Sequence, residues 1–483
     1  MRLSGIRHAS ANTELSLEAV KRLHSQLLSP SLTPYYKEPL LIKKGSMQYL
    51  WDSSGKKYLD FFAGIVSVSV GHCHPRLNAA LQEQMQKLWH TTQIYLTEPQ
   101  HLYAQKLLAT FPEPLKVVYF VNSGSEANDM ALLLAQLYTG NSRILSLRNG
   151  YHGLTQAVAS VTNMSTWKQP VANFLNVSPA VASVTNMSTW KQLVAIFLNV
   201  SPTVNPDPYR GPWGGSHCRD SPGQTDRHCD CPSGACSAGD AYAEQVEDIL
   251  RHSVPKGALA AGIIESIQGG GGIVQFPWNW VRQAYASIRS AGGLTIADEV
   301  QTGFGRLGQH FWGFQAAGVT PDIVTLAKGI GNGFPLAAVV TSREVAASLT
   351  KALHFNTFGG NPLASVVGQT VLEIIEEEGL QANAAVLGDR MLTELVKLKK
   401  ESRIIGDVRG KGLMIGIELV ANKETREPLS EDRRMGIYEA IKDAGLLVGV
   451  GGLYKSVIRI QPPMCITAAD VDKALDILRQ TLC

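Results

Sequence analysis

The sequence predicts an α/β protein in which a large domain holds a mostly parallel, helix-covered sheet and a smaller α+β domain packs beside it. Three observations carry this. Between about residues 117 and 345, short apolar runs alternate with helix-length amphipathic stretches, the strand–helix–strand order that builds parallel sheets. From Pro362 the pattern changes to long amphipathic helices followed by closely spaced strand segments. At 483 residues with 45% hydrophobic and 18% charged side chains, the chain is too long for one small core and rich enough in apolar residues to build more than one.

Composition also excludes. A formal net charge of +3 without a long basic block gives no footprint for nucleic acid or an anionic membrane. The longest apolar run, Phe61 to Val70, is too short and too interrupted by Ser and Gly to span a bilayer. Seven cysteines, an odd number without a secretory signal, argue for a reducing compartment and against a disulfide framework. Met1 to Thr13 carries Arg2 and Arg7 with no acidic residue before Glu14, as the remnant of a mitochondrial presequence does, and as an ordinary frayed terminus also can.

In chain order, residues 1–45 read as an N-terminal arm: one amphipathic helix (Leu15, Leu17, Val20, Leu23), then a segment punctuated by Pro34 and Pro39. Residues 46–90 read as the N-terminal part of the small domain. Gln48 to Asp52 and Lys57 to Phe62 flank a Ser53-Ser54-Gly55 turn as a hairpin. His72-Cys73-His74 looks like a ligand pair, but adjacent residues diverge on a strand and no third ligand lies near, so these histidines read as structural. A helix through Leu77, Leu81, Met85 and Leu88 follows. The large domain spans 91–361. Val117 to Val121 is a strand, Asn122 to Asn128 turns into an Ala- and Leu-rich helix, and Ile144 to Leu147 is the next strand. Ala157–Pro179 and Ala180–Pro202 are then near-identical 23-residue copies, differing only at Pro170/Leu193 and Asn173/Ile196. Two copies cannot form a stacked repeat array, which needs at least about three units, so one copy follows the ordinary path and the other bulges out. The Gly/Pro/Ser-rich stretch 210–239 is a loop by composition. Its Cys229, Cys231 and Cys236, with His217 and His228, invite a zinc reading but lack any C-x2-C pair, so no metal is assigned. Helices at Tyr242 to Arg251 and Trp278 to Ser290 bracket the strand Ala260 to Ile264. The glycine run 269–272 lacks the pattern of a dinucleotide loop. The C-terminal small domain, 362–483, opens with helices Val366 to Glu378 and Ala384 to Lys400 and continues through strands at Gly412 to Leu419, Leu446 to Val450 and Ser456 to Ile460.

The chemistry concentrates in Leu294 to Pro335. Leu294 to Ala297 is a strand-length apolar run ending in Asp298, and Asp322 to Ala327 is another ending in Lys328, both closed by glycines. Each delivers a charged side chain to the carboxyl edge of a sheet, where open α/β sheets hold ligands. A carboxylate and an amine so presented suit pyridoxal 5′-phosphate: the lysine forms the Schiff base and the aspartate keeps the pyridine nitrogen protonated. The bland alternative is a surface lysine and a strand-end salt bridge. The strand, Ser123-Gly124-Ser125 turn and helix add a phosphate cup built from free N–H groups and a helix dipole. The turn Arg148 to Gly153 places Tyr151 where it can stack on a flat heterocycle.

With these residues assembled, the chain resembles the class III aminotransferases of the fold type I pyridoxal-phosphate architecture. The matching motifs are Ser123-Gly-Ser-Glu-Ala-Asn128, Tyr151-His-Gly153, Asp298 to Arg306, Ala327 to Pro335, Thr357-Phe-Gly-Gly-Asn-Pro362 and Arg409 to Leu413, spanning nearly the whole chain in family order. Arg210 to Pro222 resembles the mitochondrial alanine–glyoxylate branch of that family. The resemblance implies transfer of an amino group from L-alanine or a β-amino acid such as 3-aminoisobutyrate to glyoxylate or pyruvate, in a homodimer or homotetramer with shared active sites. It implies that Lys328 carries the cofactor and shuttles a proton, Asp298 pairs with the ring nitrogen, Gln301 reaches the ring hydroxyl, and Val300 and Tyr151 sandwich the ring. Gly124 and Ser125 cradle the phosphate with Thr357 of the partner subunit. Glu265 joins the cofactor set, and Arg459 and Ile65 contact substrate, the arginine by bidentate binding of its carboxylate.

Two departures matter. Ser266 stands where family members usually carry proline, a change that removes a rigid φ but no chemistry, so a minor effect is expected. Gly270 stands where the ornithine and GABA enzymes carry a glutamate that masks the active-site arginine, which argues against those specificities. The alternatives are a phospho-lyase acting on an amino-alcohol phosphate, and a homologue disabled by the duplicated segment.

Overall fold

The computed structural model describes residues 14–31, 34–165, 199–232, 234–351 and 354–483. The presequence-like residues 1–13 and the middle of the duplication, 166–198, lie outside the described residues, as does the fate of whichever copy bulges out.

Seven strands form the central sheet. From one edge they run Val117–Val121, Ala337–Thr341, Ile323–Leu326, Leu294–Asp298, Leu259–Glu265, Arg143–Leu147 and Asn199–Thr203. Six are parallel, and Ala337–Thr341 alone runs against its neighbours. Parallel strands need crossovers on both faces, so their side chains are apolar throughout, and Leu259–Glu265 is buried at every position. Adjacent residues serve opposite layers. Ile144 and Ile263 pack under helix Gly124–Thr139 with Ala131 and Leu134, while Leu145 and Ile264 pack with Trp280, Tyr285 and Ile288 of helix Trp280–Ser290. The latter helix sits so close that a Cβ on Gly262 would lie 2.3 Å from Ile288 Cδ1.

The framework draws on both copies of the duplication. The beginning of the first, within helix Gln156–Val161 and on to Ser165, leads into the site region, and the end of the second supplies strand Asn199–Thr203, paired with Arg143–Leu147 in full register.

Two smaller sheets complete the molecule. Strands Ile405–Lys411, Met414–Asn422, Val457–Ile460 and Gly449–Gly451 are antiparallel and lean on helix Leu380–Glu401. The N-terminal strands Ile42–Ser46, Tyr49–Asp52 and Lys57–Asp60 form a meander whose last strand pairs in parallel with Leu446–Leu447. The hairpin read from the sequence is thus joined to the C-terminal half by main-chain hydrogen bonds. The stretch Leu446 to Val450, expected as one strand, is divided between the two small sheets. Strand Ile405–Lys411 was not expected; its buried Asp407 and Arg409 break the apolar run that would have signalled it. His72 and His74 are structural, bonded to Asp60 (2.7 Å) and Glu378 (3.0 Å).

After Lys57–Asp60 the backbone enters a left-handed turn: Ala63 (φ 51°), Gly64 (59°), Ile65 (61°) and Val66 (66°). Left-handed φ costs about 1–2 kcal/mol at each residue bearing a Cβ, so three of the four are strained. Asp60 holds the entry, its buried carboxylate accepting Phe62 N and Ala63 N at 2.9 Å while its other oxygen meets His72. Asp60→Ala should lower unfolding stability by about 2–3 kcal/mol, given what hydrogen bonds to a buried charge contribute. A urea melt with an unchanged midpoint would refute that role.

Candidate active site

Three neighbouring parallel strands end side by side at the carboxyl edge of the sheet. Glu265 lies opposite Asp298, and Asp298 opposite Thr325, three residues before Lys328. With strands about 4.8 Å apart, the two carboxylates and the amine share one small region. Asp298 is buried and accepts three hydrogen bonds: Asn128 Nδ2 at 3.0 Å, His152 Nδ1 at 2.8 Å and Val300 N at 3.1 Å. Burial works against a charge on His152, but the hydrogen bond and charge of Asp298 outweigh it and raise the imidazole above its ordinary value. Neither Asn128 nor His152 had been assigned a role from sequence. Each sits inside a motif, but 170 and 146 residues from Asp298, so no local pattern linked them to it.

Lys328 has φ 52°, left-handed and uncommon for a residue with a long side chain. Its turn is clamped from outside: Ser69 Oγ donates to Gly329 O at 2.7 Å, and Asn332 bonds both Val70 N and Gly71 O at 2.9 Å. Burial lowers the amine below its ordinary value, Asp298 pulls it back up, and Arg459 lowers it further. All three groups therefore act within one electrostatic neighbourhood.

Glu265 is buried, accepting Tyr151 N at 3.0 Å and Gly269 N at 2.9 Å, and burial lifts its carboxyl to about 7 despite the opposing pull of His152. Gly124 begins the 16-residue helix Gly124–Thr139, capped by Ser123 Oγ accepting Glu126 N, and a Cβ at Gly124 would touch the Val300 methyls at 3.3 Å. Ser125 Oγ accepts Leu154 N at 3.3 Å, and Gly153 (φ 131°) leaves no room there for a side chain. The first copy of the duplication contributes directly: Thr162 Oγ1 accepts His152 N at 3.0 Å and donates to Gly153 O at 2.9 Å.

Arg459 comes from the C-terminal sheet. It is buried, with Nη2 donating to Gln301 Oε1 (2.8 Å) and Gln461 Oε1 (2.7 Å), its guanidinium 5.4 Å from the Phe62 ring and its Nε without a partner. Among the described residues no carboxylate pairs with it. Burial lowers its pKa to about 10. Phe62 opens the left-handed turn, which brings Ile65, 44% exposed, to this side. Thr357 is not gathered in. It is exposed, although Asn356 beside it bonds Glu126 Oε2 (3.2 Å) at the start of the phosphate-cup helix.

Ser266 makes a contact that the sequence alone does not reveal. Its hydroxyl donates to Glu299 Oε1 at 2.6 Å. Glu299 is fully buried beside Asp298 and is otherwise satisfied by Thr302 Oγ1, Gly313 N and Phe314 N, while burial raises its pKa. In the cysteine-rich loop, Cys218 and Cys236 lie 3.5 Å apart, and among the described residues no three His, Cys, Asp or Glu side chains converge as a metal site.

The aminotransferase class-III family model matches residues 33–482. The chain belongs to the class III aminotransferases. Mitochondrial alanine–glyoxylate aminotransferase 2 of Homo sapiens is 50% identical over 469 residues, covering 97% of this chain and 87% of that protein. An amine transaminase from an uncultivated Pseudomonas species, solved with pyridoxal phosphate bound, superposes with TM-score 0.79 at 29% identity, over 94% of this chain and 97% of that one. A phospholyase from Arthrobacter, in complex with phosphoethanolamine, superposes with TM-score 0.77 at 28% identity, over 96% and 99%. This aminotransferase is a transaminase of fold type I, uses pyridoxal phosphate and is mitochondrial. The side chains fit the cofactor. A buried carboxylate fixed by Asn128, His152 and the Val300 amide stands where the ring nitrogen would lie, a lysine of lowered basicity stands near it, and a helix N-terminus offers N–H groups to a phosphate.

Replacing Ser266 with Ala withdraws one of four donors from Glu299 and should lower thermal stability by about 1–3 kcal/mol. A melting temperature equal to the parent's would show that the hydroxyl contributes nothing to stability.

Proposed function

We propose that this aminotransferase moves an amino group from L-alanine or a β-amino acid such as 3-aminoisobutyrate to glyoxylate or pyruvate. The observation carrying this reading is Arg459: a buried guanidinium aimed at the catalytic edge, held by two glutamine amides and no carboxylate among the described residues. A buried cation is costly until paired, and a substrate carboxylate supplies the pair bidentately. Gly270 supports an unmasked arginine, since a Cβ there would already lie 3.2 Å from Met164 Sδ and 3.4 Å from Tyr151 Cβ.

Bound pyridoxal phosphate supplies an electron sink for negative charge developing at the substrate Cα. In this reading Asp298, fixed by Asn128 and His152, holds a positive charge on the ring nitrogen. Lys328, its basicity lowered by burial, would hold the cofactor and, once the substrate amine displaces it, would serve as the base that handles the proton at the substrate Cα. Tyr151 and Val300 take the two faces of the ring, and Gln301 and Glu265 its polar edge. Gly124 and Ser125 take the phosphate, and Ile65 shapes the mouth that the substrate side chain crosses.

We assign the minimal unit as a homodimer. Trp89 (59% exposed), Ile94 (74%), Leu96 (88%) and Phe358 (59%) leave large apolar side chains in solvent that a partner subunit would cover, and Thr357 lies in the same exposed segment as Phe358. That placement supports Thr357 reaching the phosphate of a partner subunit. The first copy of the duplication, threaded through Thr162 into intact bonds with His152 and Gly153, speaks against a disabled homologue.

Lys328→Ala should abolish transfer, and Arg459→Gln should raise KM for alanine on the order of 100-fold, about 2.7 kcal/mol, with a smaller change in kcat. A coupled assay for pyruvate and glycine, run beside one for phosphate released from phosphoethanolamine, decides between transfer and elimination. Phosphate release without amino transfer overturns the reading. Cofactor absorbance that borohydride fails to fix onto the parent protein overturns the role of Lys328.

A further inference from the structure

Away from the catalytic edge, a cavity of about 350 Å³ is lined by Arg210, Gly211, Pro212, Arg227, Thr425 and Arg426. Its floor comes from the loop that follows the duplication, and its wall from the turn between Met414–Asn422 and Glu427–Pro428 of the C-terminal sheet. Three guanidinium groups meet here, yet the local carboxylates are already committed. Arg210 Nε bonds Glu418, whose other oxygen is taken by Arg409. Asp407 is shared between Arg219 and Arg409. Arg227 donates only to the carbonyls of Pro208, Gly211 and Pro212, and Arg426 to that of Tyr209. Among the described residues neither pairs with a carboxylate. Arg210 Nη2 is buried with no partner at all.

Five arginines thus face Asp407, Glu418 and the nearby Asp207, whose Oδ1 is occupied by Tyr209 N and Arg210 N. Burial and then the neighbouring Arg426 lower the pKa of Arg227, against the opposing pull of Tyr242, Cys218 and Asp207. Carbonyl oxygens orient guanidinium groups but do not neutralise them, whereas phosphate and carboxylate do both through paired N–H bonds. The volume falls at the lower end of the range for small-molecule sites.

We propose that this cavity binds a small dianion, a phosphate monoester or a dicarboxylate, at a second site separate from the catalytic cleft. The ligand bridges the loop and the sheet turn, so its occupancy stabilises their contact by mass action. The inference does not depend on which amino donor the enzyme uses.

The test is calorimetric titration of cofactor-saturated enzyme with inorganic phosphate and, separately, with succinate, at constant ionic strength. Saturable binding of at least one probe at one site per chain is expected, and which probe binds more tightly tells phosphate from dicarboxylate. Arg426→Gln, which removes a side chain bonded to a single carbonyl, should weaken binding at least about tenfold while kcat stays at the parent value. Arg227→Gln should weaken it similarly, and Arg459→Gln, which empties the cleft of its carboxylate anchor, should leave it unchanged. Circular dichroism checks that each variant is folded. Absence of saturable binding by both probes, or binding that survives both Arg426→Gln and Arg227→Gln in folded protein, overturns the proposal.

Discussion

The structure depends on a carboxylate placed where water cannot reach it. Asp298 ends a fully enclosed strand, and a charge there is tolerable only because Asn128, His152 and the Val300 amide converge on it. That demand reaches far along the chain. It sets where the phosphate-cup helix begins, since Asn128 lies in its second turn, and it fixes the loop carrying His152, which Thr162 holds from behind. A carboxylate so held keeps its orientation without rearrangement, which is what preorganised electrostatic catalysis requires.

A second unbalanced charge faces it across the cleft. Arg459 hangs from the C-terminal sheet, braced by two glutamines that orient but do not neutralise it. A carboxylate fixed by three donors on one side and a guanidinium without a carboxylate partner among the described residues on the other suit a substrate that carries both charges. Stability is given up at both positions, and bound cofactor and substrate return it.

The large sheet was legible because parallel strands buried on both faces are written as continuous apolar runs, and because glycines mark where each run stops. Lys328 and Asp298 were legible for the same reason, being charges at the ends of such runs. Elements that mix charge into strands were not: Ile405–Lys411 carries Asp407 and Arg409, and only the folded chain shows Asp407 held by Arg219 of a distant loop. Asn128 and His152 escaped for a related reason, because hydrogen bonding across more than a hundred residues leaves no periodicity. The Ser266 contact escaped because its partner, Glu299, is adjacent in space but on another strand end. Proline-for-serine reasoning considers φ and omits what a hydroxyl can reach.

The way the duplication is threaded has a consequence for the gene. The fold takes its upstream portion from one copy and its downstream portion from the other, and the two units are interchangeable except at two positions. Excising any 23 consecutive residues that begin within the first unit therefore rejoins the same flanking residues in phase, whatever the breakpoint. A chain so shortened keeps the residues of helix Gln156–Val161 and of strand Asn199–Thr203, whichever unit supplies them.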